Sequence, residues 1–130
     1  AFSIEQITAE LADRASIFLI ASIEDKPAGY AKLIVDSTEE GITATRPVEL
    51  SRLYSHQEYL GQGVGQNLMD ACFDRARDDG HDVMWLGVWE YNPRARAFYE
   101  KHGFNYVGRH VFQLGSDPQI DLLMQRSLVE

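Results

Sequence analysis

Gly61-Gln62-Gly63-Val64-Gly65 places glycine at every second position of a short stretch. An extended, partly apolar run precedes it and an amphipathic pattern follows it. Glycine lets backbone N–H groups approach a ligand without interference from Cβ, and the first N–H groups of a helix attract anions. The stretch therefore predicts a loop that cradles a pyrophosphate group at the start of a helix.

The sequence after these glycines predicts an amphipathic helix. One apolar row at four-residue spacing is formed by Val64, Leu68, Cys72 and Ala76, and the opposite side carries Asn67, Asp70, Asp74 and Asp78. Gly80 follows at the position where glycine commonly ends a helix. No Gly-Lys-Ser/Thr triplet follows the loop, and Gln66 stands where a dinucleotide-binding loop has its last glycine, so both common nucleotide motifs are disfavoured.

The front of the chain predicts a helix and two strands. Ser3-Ile4-Glu5-Gln6 has the pattern of a capping box, which predicts a helix over Ile4–Arg14. The β-branched run Ser16–Ile23 predicts a strand that is buried on both faces, and Ala28–Asp36 predicts the returning strand. A polar loop over Ser37–Arg46 is expected next.

The remainder alternates strands and helices. Val48–Ser55 alternates with period two, so Glu49, Ser51, Leu53 and Ser55 are expected on one face of a strand. The later elements are a strand at Val83–Trp89, a helix opened by Asn92-Pro93 and ended by Gly103, and strands at Phe104–Gln113 and Gln119–Leu128. This order predicts one α/β domain over residues 1–130, built around a single mixed sheet.

Two blocks of this sequence resemble the GNAT superfamily of N-acetyltransferases. Glu49–Arg77 resembles the acyl-CoA-binding motif of that family, and Trp85–Pro93 followed by Ala97–Phe104 resembles its second block. The resemblance implies a GNAT-type, mostly antiparallel sheet flanked by helices and an acetyl-CoA-dependent N-acetyltransferase. Gly108–Gly115, with Asp121–Met124 after it, is similar to the bacterial polyamine (spermidine/spermine) acetyltransferase branch.

The sequence departs from the family pattern in two places. Leu60 occupies the position where the family loop usually opens with Arg or Gln, which removes one polar contact beside the pyrophosphate. The strand and helix with which the family begins are not recognised ahead of the first predicted helix. Either the printed sequence lacks them or the edge of the sheet is completed in another way. A bare sheet edge favours pairing with another copy, so a homodimer through that edge is a hypothesis.

The resemblance also implies roles for individual residues. Tyr99 returns to nearly the azimuth of Asn92, seven positions earlier, and is implied as the general acid that protonates the departing CoA thiolate. The alternative is a core tyrosine whose hydroxyl bonds to a neighbour. Glu49 is implied as the base that deprotonates the amine, and the alternative is a surface carboxylate paired with Arg46 or Arg52. The cofactor-binding residues implied are Leu53, Tyr54, Ser55, Gly61, Gln62, Gly63, Val64, Gly65, Gln66, Asn92, Arg96 and Tyr99.

Three functions remain open on the sequence. The first is acetyl transfer to a small polyamine by direct attack in a ternary complex, for which Glu90, Asp117 and Asp121 would form an acidic wall, unless they are only solvated charges. The second is acetylation of a protein N-terminus or lysine side chain. The third is a non-catalytic module that binds acyl-CoA or a partner.

The composition of the chain bears on its possible partners, its metal content and its location. A net charge of −8 and a pI near 4.9 disfavour a nucleic-acid or anionic-membrane surface. The single cysteine, Cys72, falls on the apolar row of its helix and is expected in the core. The four histidines lack ligand spacing, so no metal is expected. No leader or membrane-spanning run is recognised, and a cytoplasmic protein is the expectation.

Overall fold

The computed structural model describes residues 2–11, 14–59 and 61–129. The strands are β1 (Phe2–Leu11), β2 (Arg14–Ile23), β3 (Lys26–Val35), β4 (Pro47–Ser55), β5 (Val83–Trp89), β6 (Asn105–Leu114) and β7 (Asp117–Ser127). The helices are α1 (Val64–Asp78) and α2 (Pro93–Lys101), and a short 3₁₀ turn spans Gln57–Tyr59. Within the described ranges, neither helix combines the length and the apolar character needed to cross a membrane.

One seven-stranded sheet runs through the molecule in the order β1-β2-β3-β4-β5-β7-β6. All neighbouring strands are antiparallel except β4 and β5, which are parallel. The helix α1 packs on β2, β3 and β4. The predicted α/β fold with a mixed, mostly antiparallel sheet is therefore confirmed.

The packing of α1 follows from its sequence pattern. Val64, Leu68, Cys72 and Ala76 are all buried, and the four opposite polar residues are exposed, as the spacing predicts. Gly80 has a φ of 83° directly after the helix, in the left-handed region that favours glycine. At the other end, a Cβ on Gly29 would lie 2.9 Å from Val64 Cγ1, so α1 approaches β3 more closely than any larger residue allows.

The prediction of a helix over Ile4–Arg14 was wrong, because residues 2–11 form β1. This strand pairs with β2 at every position from Phe2–Ile23 to Leu11–Arg14. Pairing satisfies the backbone groups along an edge of β2 that would otherwise be bare, and such long-range bonding overrides a local capping pattern. Ile7, in the middle of this strand, is 46% exposed.

Two further expectations about the strands need correction. On β2, Ile17, Leu19 and Ala21 are buried in the core, whereas Phe18 and Ile20 are only half-buried, so the strand is not buried equally on both faces. On β4, the register against β3 shifts, since Lys32 pairs with Arg52 and Leu33 with Leu50. Ser51 is thus an extra residue in β4, and this bulge interrupts the predicted alternation of its side chains.

Candidate active site

The sheet opens between β4 and β5. Their parallel pairing covers Pro47–Val83, Val48–Met84 and Glu49–Trp85, after which β4 continues to Ser55 and β5 to Trp89 without pairing to each other. Two cavities adjoin this gap, and β4 contributes residues to both of them. Glu49 and Ser51 line one cavity, while Leu53 and Ser55 line the other, because the bulge at Ser51 separates the two pairs. The expectation that all four share one face was therefore wrong.

The larger cavity, here called the inter-helix cleft, lies between the N-terminal ends of α1 and α2 and has a volume of about 430 Å³. A Cβ on Gly65 would lie 3.5 Å from both the Phe98 ring and Ser55 Oγ, so α1, α2 and β4 come close together here. The cleft is lined by Leu53, Ser55, Tyr59, Gly61, Gly63, Val64, Gly65, Gln66, Asn92, Arg94, Ala95, Phe98 and Tyr99.

The N-terminus of α1 presents backbone N–H donors to this cleft. The φ angles of Gly61 and Gly63 are 82° and 79°, a backbone conformation that residues with a Cβ rarely adopt. Gly63 is the N-cap and supplies no side-chain hydrogen bond. The first N–H groups of a helix have no acceptor within the helix, and here they combine with the positive end of the helix dipole. This end of the cleft suits an anion.

The helix α2 begins as the sequence predicts, with Asn92 as N-cap and Pro93 at the first helical position. The Asn92 side chain accepts a hydrogen bond from the Ala95 N–H at 3.2 Å, which leaves its amide N–H groups free to donate. Ala95 and Phe98 line the cleft together with Asn92 and Tyr99.

Tyr99 ends the row of α2 residues that faces the cleft. Its ring packs against Phe98 and Phe104, with centroids 5.5 and 5.8 Å away. Burial raises the pKa of the Tyr99 phenol, and the nearby Cys72 adds to the shift, so the phenol is protonated at neutral pH. In the part of the chain that the structure describes, no group forms a hydrogen bond with its hydroxyl. The described residues therefore offer no hydrogen-bond partner that would support the alternative, in which Tyr99 is a core tyrosine whose hydroxyl bonds to a neighbour.

The smaller cavity, here called the carboxylate cavity, has a volume of about 200 Å³. Its charged residues are Glu39, Glu49 and Asp121, and the imidazole of His110 lies 3.4 Å from Glu39 Oε2. The lining consists of Glu39, Glu49, Leu50, Ser51, Trp85, Gly87, His110, Asp121 and Leu123. Three carboxylates around one small cavity favour a cationic ligand.

Glu49 is half-buried, and its Oε1 accepts a hydrogen bond of 2.8 Å from Ser37 Oγ. Arg46 instead contacts Asp36 at 3.6 Å and donates to the Asp79 carbonyl. Among the described residues no ion pair joins Glu49 to Arg46 or to Arg52. The structure thus gives no support to the alternative of a surface salt bridge.

Several predicted site residues lie elsewhere. Arg96 turns away from the cleft, since it donates to the Glu90 carbonyl at 2.9 Å and to the Tyr106 hydroxyl at 3.1 Å. Tyr54 lies on the other side of β4, with its ring 5.8 Å from that of Tyr30. Gln62 is exposed, and its N–H donates to the Tyr59 carbonyl. Leu60 lies outside the described residues.

The acidic wall is also only partly as predicted. Asp121 lines the carboxylate cavity, but neither Glu90 nor Asp117 does so. Sequence reasoning missed Glu39, which comes from the loop after β3, because nothing in a polar loop shows where it crosses the sheet. It also missed Arg94, for which a signal existed: a cation in the first turn of a helix opposes the helix dipole and suggests an anionic partner.

Cys72 is fully buried in the core, as predicted. Burial raises the pKa of its thiol to about 12, so a thiolate nucleophile is not available at neutral pH. Within the described ranges, no three His, Cys, Asp or Glu side chains are grouped closely enough to hold a metal ion.

Comparison with known proteins agrees with this geometry. The sequence model of the acetyltransferase (GNAT) family matches residues 2–104, so the chain belongs to the GNAT family of acetyltransferases, which use acetyl-CoA. An uncharacterized N-acetyltransferase of Lactobacillus delbrueckii subsp. lactis is 33% identical over 125 residues, which cover 96% of this chain and 72% of the relative.

An uncharacterized N-acetyltransferase of Mycobacterium tuberculosis is 38% identical over 119 residues, which cover 92% of this chain and 72% of that protein. Among solved structures, the PaiA N-acetyltransferase of Thermoplasma acidophilum in complex with coenzyme A is 26% identical with a TM-score of 0.66. The match covers 86% of this chain and 60% of that one.

Proposed function

We propose that this acetyltransferase transfers the acetyl group of acetyl-CoA to a small polyamine by direct attack of a primary amine in a ternary complex. The observation that carries the proposal is the pair of cavities at the gap between β4 and β5. One cavity offers donors for an anion beside a buried phenol, and the other offers carboxylates for a cation.

The residues of the inter-helix cleft fit acetyl-CoA. The uncapped N–H groups at the start of α1 would hold the diphosphate, and Arg94 supplies a guanidinium to the same cleft. The amide of Asn92 remains able to donate to a carbonyl of the pantetheine arm. Bound acetyl-CoA supplies a thioester, whose carbonyl carbon accepts the amine and whose sulfur leaves as a thiolate.

The backbone of β4 adds donors at the gap. The His56 N–H donates to the Ala28 carbonyl of β3 at 2.7 Å. Because successive N–H groups of a strand point to opposite sides, those of Ser55 and Leu53 point away from β3 and into the gap. There they are placed to stabilise the negative charge that develops on the carbonyl oxygen during attack.

Two side chains move protons in this proposal. The Tyr99 hydroxyl gives its proton to the departing sulfur, whose thiol has a reference pKa of about 8.5. Glu49 accepts the proton of the amine. Along β4, Glu49 and Leu53 are separated by roughly 13 Å at about 3.3 Å per residue, so the proton reaches Glu49 through water.

The carboxylate cavity supports a polyamine as the acceptor. A primary amine has a pKa near 10.4 and arrives as an ammonium ion, so a second or third ammonium group of the same molecule remains charged while the first one reacts. Glu39 and Asp121 lie beside Glu49 in this cavity and match such a distal charge.

Release of free CoA thiol in the presence of a panel of amines tests the proposal. We expect turnover with spermidine and related polyamines, with a KM at least about tenfold below that of a monoamine of similar length, since a hydrogen-bonded charge pair contributes about 1.5 to 3 kcal/mol. Acetylated product is identified by mass spectrometry. Turnover restricted to peptide N-termini or lysine would contradict the proposal that the acceptor is a polyamine. Binding of acetyl-CoA without turnover of any amine would contradict the proposal that the protein catalyses acetyl transfer.

Substitutions of residues that line the carboxylate cavity make this experiment more specific. Glu39→Gln and Asp121→Asn should raise the KM for spermidine several-fold and leave the KM for the monoamine unchanged. The matched control is Asp117→Asn, because Asp117 is an exposed carboxylate of the same strand as Asp121 and does not line the cavity. Equal effects of all three substitutions would show that only the overall charge matters.

A further inference from the structure

Ser37 is a buried polar residue that contacts Glu49, one of the residues that line the carboxylate cavity. It is 4% exposed and follows Asp36, whose φ of 57° turns the chain sharply after β3. Its hydroxyl donates to Glu49 Oε1 at 2.8 Å, and its carbonyl oxygen accepts a hydrogen bond of 2.7 Å from Trp85 Nε1. Ser37 therefore connects the two residues that form the last parallel pair between β4 and β5.

The indole of Trp85 fixes the position of Ser37. Trp85 is 5% exposed, and a buried indole N–H needs an acceptor because it can only donate. The Ser37 carbonyl is that acceptor, so the ring of Trp85 anchors the backbone of the loop at this point. Because Trp85 belongs to a central strand, the anchor is rigid.

The hydroxyl of Ser37 in turn fixes one oxygen of Glu49. An ionised carboxylate only accepts hydrogen bonds and has two oxygens with which to do so. Oε1 is occupied by Ser37, and among the described residues no group donates to Oε2. The side chain is thereby held in one orientation, with Oε2 available to the last water molecule of the relay that carries the proton.

We infer that Ser37, anchored by Trp85, is a positioning residue that holds the Glu49 carboxylate in the orientation needed to accept the proton of the amine. This inference rests on the proposed function, in which Glu49 is the base. It adds a role for the loop between β3 and β4, whose sequence carries no catalytic motif.

A double-mutant cycle tests this role. Ser37→Ala should lower kcat about tenfold, since a hydrogen bond to a charged group contributes about 1.5 to 3 kcal/mol, and should leave the Kd for acetyl-CoA unchanged. In the Glu49→Gln background, the same substitution should change kcat less than about twofold, because the orientation of the base no longer matters. Thr38→Ala is the matched control, since Thr38 is the adjacent exposed hydroxyl.

A merely structural role would give a different pattern. Equal losses in both backgrounds, or a loss that accompanies a weaker Kd for acetyl-CoA, would overturn the inference. Trp85→Phe provides a second route: it keeps the ring but removes the N–H, and it should lower kcat several-fold only while Glu49 is present. Absence of turnover by the wild-type protein, or full activity of Glu49→Gln, would instead overturn the proposed function itself.

Discussion

Tyr99→Phe is expected to lower kcat tenfold or more while the Kd for acetyl-CoA stays nearly constant. The substitution removes one oxygen from the inter-helix cleft and keeps the ring that packs against Phe98 and Phe104. The lost proton donor matters only when the sulfur departs, so the effect falls on the chemical step and not on binding. Single-turnover kinetics and calorimetry measure the two quantities separately.

The pH dependence of this effect follows from the burial of Tyr99. Burial raises the pKa of the phenol above its ordinary value near 10, so the proton is present below that pH and is lost only above it. The wild-type advantage over Tyr99→Phe should therefore persist to at least about pH 10. Tyr91→Phe is the control, because Tyr91 is 71% exposed and lies outside the cleft. An unaltered kcat for Tyr99→Phe would remove Tyr99 from the mechanism.

Glu49→Gln is expected to lower kcat about 100-fold at pH 7, within the usual contribution of a general base. An ammonium ion with a pKa near 10.4 costs about 4 to 5 kcal/mol to deprotonate at that pH, and glutamine cannot accept the proton. The loss should shrink as the pH approaches 10, because the free amine then becomes abundant without assistance. A pH series of initial rates with a saturating polyamine measures this.

The control for Glu49 is another carboxylate of similar burial. Glu90→Gln removes a half-buried carboxylate at the end of β5 that lines neither cavity, and it should leave the rate within about twofold of the wild type, as surface charge changes usually do. A loss in Glu49→Gln that is the same at every pH would contradict the role of base. It would favour a purely structural carboxylate that orders the loop through Ser37.

The elements around the glycine loop were predictable from the sequence because their signals are local. Three of these signals depend only on residues a few positions apart, namely the apolar row of α1, the cap at Asn92 and the glycines at 61 and 63. The structure shows all of them as expected. The placement of Asn92, Gly65 and Tyr99 around one cleft follows from these elements once the strands are in order.

The features of the fold and of the site that could not be predicted depend on contacts between distant parts of the chain. The capping pattern at Ser3 is a local signal that pairing with β2 overrides. The bulge at Ser51 arises from the register of β4 against β3, and it moves Leu53 and Ser55 away from the cavity that Glu49 lines. No periodicity in β4 shows where an extra residue sits.

On α2, the position of a residue around the helix axis does not by itself predict where a long side chain points. Arg96 lies between Asn92 and Tyr99 on the helix surface, but Glu90 and Tyr106 draw its guanidinium away from the cleft. Arg94, two residues earlier, lines the cleft instead. A long side chain follows its hydrogen-bond partners, and those partners come from the turn after β5 and from β6, which local spacing does not report.

Titration of ¹⁵N-labelled protein with acetyl-CoA, followed by amide NMR, tests the central claim most directly. We expect saturable shifts that are largest for the backbone amides of Gly63–Gln66, of Asn92 and of Arg94–Tyr99, together with those of Leu53 and Ser55 at the gap. Absence of saturable shifts, or shifts confined to the carboxylate cavity or to the outer strands β1 and β6, would contradict the claim that the inter-helix cleft holds acetyl-CoA.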